Sequence, residues 1–281
     1  MLNDSQISRL QEGPFVDYGT SYANNLPQDM ESCSSLMSEF HNLSPDDTFH
    51  FSCHPGIACF NNCCRDLNHA LTPYDIIRLK KSLKLPSGAF LERFTLHHTG
   101  PASGLPIVTL NMLDQKDLKC PFLRETGCSV YPDRPGFCRI YPLARIVRKR
   151  PNQAVNEASY LLIKEPHCLG YHESKAWTVR AWMEDQAVQP YNDMNDLLME
   201  VIALKNRSGR KKLTAEEAER FYLACYDMDR FRDFASVNRL WERFPPAGDF
   251  PVGTEQDDVA LMRLGIEWIK ARLFRHNETS K

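Results

Sequence analysis

The sequence predicts an α-rich α+β protein, an irregular cysteine-cluster core with a small β-sheet followed by a C-terminal helical region. Three observations carry this prediction. Cysteines crowd between Cys53 and Cys64, short alternating segments broken by turn residues surround the later cysteines up to Cys168, and helical periodicity with few glycines begins at Ser174. The chain accordingly divides into an irregular N-terminal arm over 1–48, a cysteine-cluster metal-binding domain over 49–172 and a helical region over 173–281.

Each segment has a local reason. Residues 1–48 are rich in Asn, Ser, Asp, Gln and Pro and show no apolar period, which predicts an extended arm. In FSCHPGIACFNNCCRD the residues Pro55, Gly56, Asn61 and Asn62 interrupt any regular period, so the thiols lie on a loop. Leu71–Leu85 reads as a helix with Thr72 as N-cap, Pro73 at N1 and Asp75 at N3, an acidic variant of the capping box. A short helix follows from a serine cap at Ser87. Pro106–Leu113 alternates as a half-buried strand, and Ser129–Tyr131, Leu143–Val147 and Ala158–Ile163 supply further short strands. His97 and His98 read as ordinary polar residues. Helices are predicted over Ser174–Gln186, Asp193–Leu204, Thr214–Tyr226, Asp229–Phe244 and Thr254–Arg275, with a capping box at Thr214 and Glu217.

Composition narrows the function. The 281 residues are 42% hydrophobic and 25% charged with a formal net charge of -2, which argues against a disordered chain or a generic nucleic-acid binder. The first twenty residues hold no apolar run of signal-peptide length, and no segment reaches the roughly eighteen apolar residues of a membrane span. A soluble, cytoplasmic protein is expected. The basic runs Arg145–Arg150 and Lys205–Lys212 read as solvated loops, not as nucleic-acid contacts.

A reducing compartment disfavours stable disulfides, so the ten cysteines point to metal or redox chemistry. Cys33, among serines, and Cys225, within a helix, read as non-ligands. Eight thiols remain as the ligand pool: Cys53, Cys59, Cys63, Cys64, Cys120, Cys128, Cys138 and Cys168. Eight suffice for two four-ligand sites or for one cluster with spare thiols. Structural zinc favours cysteines two to four residues apart, and no C-x-x-C occurs here, whereas an iron–sulfur cluster tolerates ligands from distant segments. Adjacent Cys63 and Cys64 diverge, which suits a polynuclear or two-site centre. Thiolate charge needs an offset, for which Arg65, Arg134 and Arg139 are the candidates, either neutralising the centre or holding an anionic substrate, with Arg145 further off. Tyr131 and Tyr141 could cover the site or serve as core.

Three elements together resemble the YkgJ-type cysteine-cluster family, a zinc- or iron-chelating domain: the group Cys53, Cys59, Cys63, Cys64; the segment Cys120–Leu123; and the run Gly127, Cys128, Val130, Tyr131, Arg134, Pro135, Cys138, Arg139, Tyr141, Pro142. The resemblance covers roughly Phe51–Cys168 and implies metal binding. The cluster region of the flagellin lysine N-methylases is distantly similar, which implies an S-adenosylmethionine-dependent protein methylase as one alternative function. The sequence therefore predicts a metal-binding protein with an iron–sulfur cluster, of the [4Fe–4S] type, as its cofactor. Zinc or non-cluster iron are the alternative cofactors, and a structural zinc protein or an electron-transfer or assembly module with a redox-active cluster are the alternative roles. A protein substrate or partner would dock on the C-terminal helices.

Overall fold

A computed structural model describes residues 42–66, 69–101, 103–112, 117–148, 157–244 and 257–274. The expected arm therefore lies outside the described residues, apart from 42–48. The architecture is α+β and α-rich. Four small antiparallel sheets sit beside nine α-helices among the described residues.

Strand β1 (Asn42–Leu43) lies on a sheet with β8 (Leu143–Arg148) and β9 (Glu157–Leu162), in the order β1-β9-β8. Strand β2 (Thr48–His50) pairs with β10 (Ala176–Thr178). A third sheet joins β3 (Ala70–Leu71), β4 (Thr95–Thr99) and β5 (Pro106–Leu110) in the order β3-β5-β4. The fourth is the hairpin β6 (Leu123–Arg124) and β7 (Gly127–Cys128).

Helix α1 (Pro73–Leu83) begins where its cap predicts. Thr72 Oγ1 accepts from Asp75 N at 3.2 Å, and Asp75 Oδ2 accepts from Thr72 N at 2.8 Å, so two otherwise orphaned N–H groups are satisfied. Helix α2 (Ser87–Phe94) departs from expectation, because Ser87 is its first helical residue rather than its cap. The Ser87 hydroxyl instead donates to Asp227 and Asp229, and Asp229 also accepts from Ser87 N. The Asp229 carboxylate thus does the capping from a segment some 140 residues further along the chain.

The expected strand at Ser129–Tyr131 is replaced by a turn. The pairing ends at Cys128, and Tyr131–Asp133 forms a 3-10 turn with Pro132 inside it. Pro cannot donate to a ladder, which accounts for the change. Helix α3 (Gly136–Ile140) follows, then α4 (Val179–Asp185) and α5 (Gln189–Arg207), which is longer than its predicted core. Helix α6 (Ala215–Cys225) carries the capping box of Thr214 and Glu217. The predicted Asp229–Phe244 helix is two helices, α7 (Met228–Val237) and α8 (Leu240–Arg243), interrupted by Arg239 in the left-handed region at φ 51°. Helix α9 (Asp258–Ile269) ends in a π turn over Lys270–Phe274.

Two hydrophobic clusters organise these elements. The larger contains Leu71, Ile76, Phe90 and Val108 together with Phe221, Phe231, Leu261 and Ile269, so the cysteine-rich half and the C-terminal helices share one core. The smaller contains Phe49, Phe51, Leu143, Cys168, Val179 and Trp182. Cys225 is fully buried in the larger cluster, where burial alone pushes its thiol up. Among the described residues, no helix is long and apolar enough to cross a membrane.

Two basic positions are not the solvated loops that the sequence suggests. Arg145 lies in β8 and makes a two-pronged pair with Asp196 of α5, at 2.6 and 2.9 Å. Lys205, in the last turn of α5, is only 4% exposed.

The α6 cap gives a pH prediction. Arg210 holds the Glu217 carboxyl down to about 2, from an ordinary value of 4.5. A carboxyl depressed in the folded state stabilises the fold fully above its unfolded pKa and ceases to do so as pH falls to the folded one. Melting temperature is expected to fall more steeply from pH 4.5 to 2 in the native chain than in Glu217→Gln. Because the pair is partly exposed, the difference should be small; identical pH profiles would refute the assignment.

Candidate metal centre

The chain delivers its thiols by two separate constructions. In the first, the segment around Cys53 is strapped to the segment after Cys168. Phe51 N donates to Lys175 O at 3.0 Å, Ser52 N donates to Gly170 O at 3.1 Å, and His54 Nε2 meets Glu173 Oε2 at 3.2 Å. Gly170 permits the approach, since a Cβ there would stand 2.4 Å from the Phe51 ring. Cys59 joins the same group: the N–H of Leu169 donates to Cys59 Sγ at 3.2 Å. Cys168 itself is buried and hydrogen-bonds the hydroxyls of Tyr141 and Tyr171.

Partial desolvation raises the Cys53 thiol to about 11 although the residue reaches the surface, and the neighbouring charges of Cys63, Cys59 and Cys168 add to the rise. Cys53 therefore has Cys63, Cys59 and Cys168 as neighbours.

In the second construction, the residues after the adjacent pair run antiparallel to 118–120. Cys120 N donates to Cys64 O at 3.0 Å, Asp66 N donates to Leu118 O at 2.8 Å, and Arg65 bridges Lys119. The β6–β7 hairpin then sets Leu123 opposite Cys128, and Ser129 closes it with two bonds to Phe122 O, both 2.9 Å. Cys138 rides on α3, whose start is tied to α1 by the bond from Gly136 N to Asp75 Oδ1 at 2.8 Å. Burial drives the Cys138 thiol far up, and Cys120, Cys128, Cys63 and Asp75 push it further.

Cys63 and Cys64 stand at the junction. They occupy consecutive positions of the 3-10 turn Asn62–Cys64, entered through Asn61 at φ 70°. Three residues per turn set successive side chains about 120° apart. The two thiols still hydrogen-bond each other, which lowers Cys63 and raises Cys64. Cys64 also feels Cys138 and Cys120.

The arginines take different positions. Arg134 lies over the Tyr131 ring at 3.9 Å, donates to Tyr131 O and Gln186 Oε1, and has Cys138 and Cys128 among its charged neighbours. Arg139 is buried and donates to Gln186 O at 2.7 Å, Pro132 O at 2.6 Å and Tyr191 OH at 3.4 Å. Arg65 is more open and pairs with Asp117 at 3.6 Å. Tyr131 is 56% exposed rather than core.

Sequence reasoning missed Tyr171, which stands three residues beyond Cys168 and holds Ile163 O and Glu165 N, each at 2.8 Å. It also missed His69, whose ring lies 3.6 Å from that of Phe137, next to Cys138, where burial lowers it to about 4. The first could have been read from GY just after the last thiol; the second had no signal.

All cysteines among the described residues are free thiols. Cys33 lies outside them. Among the described residues no group of three or more His, Cys, Asp or Glu side chains is placed to hold a metal ion, so the thiols are neighbours without converging on one point. The donor set nonetheless has the chemistry of a soft-metal site, because thiolates select zinc and iron–sulfur centres.

Comparison with known families supports that chemistry. Residues 52–169 match the CxxCxxCC family model, described as "Putative zinc- or iron-chelating domain". Segment 52–169 is thus similar to the CxxCxxCC domain. All eight thiols of the pool fall within the matched segment, and Cys225 falls outside it. No curated protein and no solved structure matches the chain. The match and the thiol donor set both point to zinc or iron chelation as the general chemistry of segment 52–169.

Proposed function

We propose that the CxxCxxCC domain holds iron as iron–sulfur clusters in two four-thiolate sets that meet at the adjacent pair. Cys53, Cys59, Cys63 and Cys168 form one set, and Cys64, Cys120, Cys128 and Cys138 form the other. The observation that carries the reading is the pair of backbone constructions. One brings 51–59 against 168–175, the other brings 64–66 against 118–120, and they diverge at Cys63 and Cys64. Four thiolates gathered from segments far apart in sequence suit a [4Fe–4S] cluster better than a zinc knuckle.

The surroundings supply what an anionic sulfur-ligated centre requires. Hydrogen bonds to the sulfurs and nearby cations offset thiolate charge. In the first set these are Leu169 N–H on Cys59 and the Tyr141 and Tyr171 hydroxyls near Cys168. In the second, Arg134 faces Cys138 and Cys128. Arg139 holds the 3-10 turn that presents Arg134, since it binds Pro132 O and Gln186 O.

Anaerobic purification followed by iron, zinc and acid-labile sulfide analysis tests this. Iron with matching sulfide, and visible absorbance that bleaches on reduction, is the expected result. Stoichiometric zinc without sulfide or colour would overturn the iron–sulfur assignment while leaving chelation intact.

A further inference from the structure

The basic run that follows α5 lines a cavity. It measures about 710 Å³ and opens between the β4–β5 turn at Thr99–Gly104 and the segment Lys205–Lys212. Its walls come together more tightly than ordinary side chains allow. A Cβ on Gly104, which sits at φ 66°, would stand 2.0 Å from the Lys211 carbonyl oxygen and 3.4 Å from Lys205 Nζ. Only glycine fits there.

The walls are also held in place. Gly104 N donates to Gly100 O and Gly100 N donates to Leu105 O, both at 2.8 Å, while Ser208 Oγ donates to Lys205 O at 2.6 Å. Arg210 bonds Glu217 and reaches Leu273 O at 3.4 Å.

The charge of this cavity is one-sided. Lys205, Arg210, Lys211 and Lys212 line it, and among the described residues no Asp or Glu does. Lys205 at the end of α5 has an ordinary reason to be there, since cations favour helix C-termini. Lys211 and Lys212 lie beyond the helix, exposed at the rim of the cavity. Glu217 pairs with Arg210 and also caps α6 by accepting from Thr214 N. Lys211 and Lys212 set two adjacent like charges at one wall of this space, and an anion seated against them relieves their repulsion. Backbone amides of the glycines are already used, so recognition falls to ammonium groups, the Thr99 hydroxyl and the Asn206 amide. Ammonium groups are the point-charge donors that phosphate oxygens accept from. The volume lies in the range of small-molecule sites.

We propose that this cavity binds a phosphate-bearing small molecule. None of its lining residues is a cysteine, and the inference stands apart from the identity of the chelated metal.

Titration calorimetry of the full metal-loaded chain with inorganic pyrophosphate tests it. Saturable binding is expected, weakened about tenfold or more in the double variant Lys211→Glu/Lys212→Glu, as the loss of charge-assisted hydrogen bonds implies. Both positions are exposed, so the variant should keep the native melting temperature and metal content. Absence of saturable binding, or equal affinity in the variant, would overturn the proposal. So would an oligonucleotide that binds the native chain without being displaced by pyrophosphate, because the run would then be an open nucleic-acid surface.

Discussion

Replacing Cys63 by serine is expected to remove about half of the bound metal, and replacing Cys64 by serine to remove the other half, because in the proposed arrangement each thiolate completes a different four-ligand set. The double replacement should leave none. Iron and sulfide per chain, measured after anaerobic purification, read the result. Spectra of the two single variants should differ, since one retains the set lined by Tyr141 and Tyr171 and the other the set facing Arg134. Cys225→Ser supplies the contrast: its thiol is wholly buried among helices, so the change should lower stability and leave metal content intact. A single shared centre predicts that either single replacement empties the protein. That outcome would sink the two-set arrangement.

Asp75→Ala is expected to cost about 3 kcal/mol of stability, from loss of a cap and of bonds in the interior. The carboxylate is 1% exposed and accepts from Thr72 N, Thr72 Oγ1 and Gly136 N, each at 2.8 Å. Burial outweighs those bonds and pushes its pKa up. Removing the side chain leaves two backbone N–H groups buried without an acceptor. One of them begins α3, so Cys138 should lose its fixed position. Urea melts should show the loss of stability, and metal analysis should show a deficit confined to the set containing Cys138. Unchanged metal content with full destabilisation would mean that α3 is held by Arg139 and its carbonyl partners instead.

Where the sequence was most informative, a local pattern and a tertiary need agreed. Thr72, Pro73 and Asp75 mark the start of α1 because the cap is satisfied within four residues, and the same holds for Thr214 and Glu217. The thiol pool was legible because looped cysteines have few other uses. Ser87 was misread because its partners, Asp227 and Asp229, lie some 140 residues away in sequence. Arg239 could not be foreseen as a break between α7 and α8, since an arginine at positive φ carries no sequence signature. The allocation of individual thiols to neighbours was hidden for the same reason: it depends on Gly170 and Gly136 contacts that no spacing reveals.

The adjacency of Cys63 and Cys64 has a consequence in polymer terms. The two proposed sets are cross-links that close rings in the chain, and the rings are nested. Cys64 to Cys138 lies wholly inside Cys63 to Cys168. Once the inner ring is shut, the outer one has only the chain from Cys138 to Cys168 left to span. Ring-closure entropy grows with the logarithm of length, so this shortening lowers the closure cost of the outer ring by about 1 kcal/mol. The inner centre should therefore be populated first as the chain matures. The outer centre, which contains the exposed thiols Cys53 and Cys63, should be the last to close and the first to open.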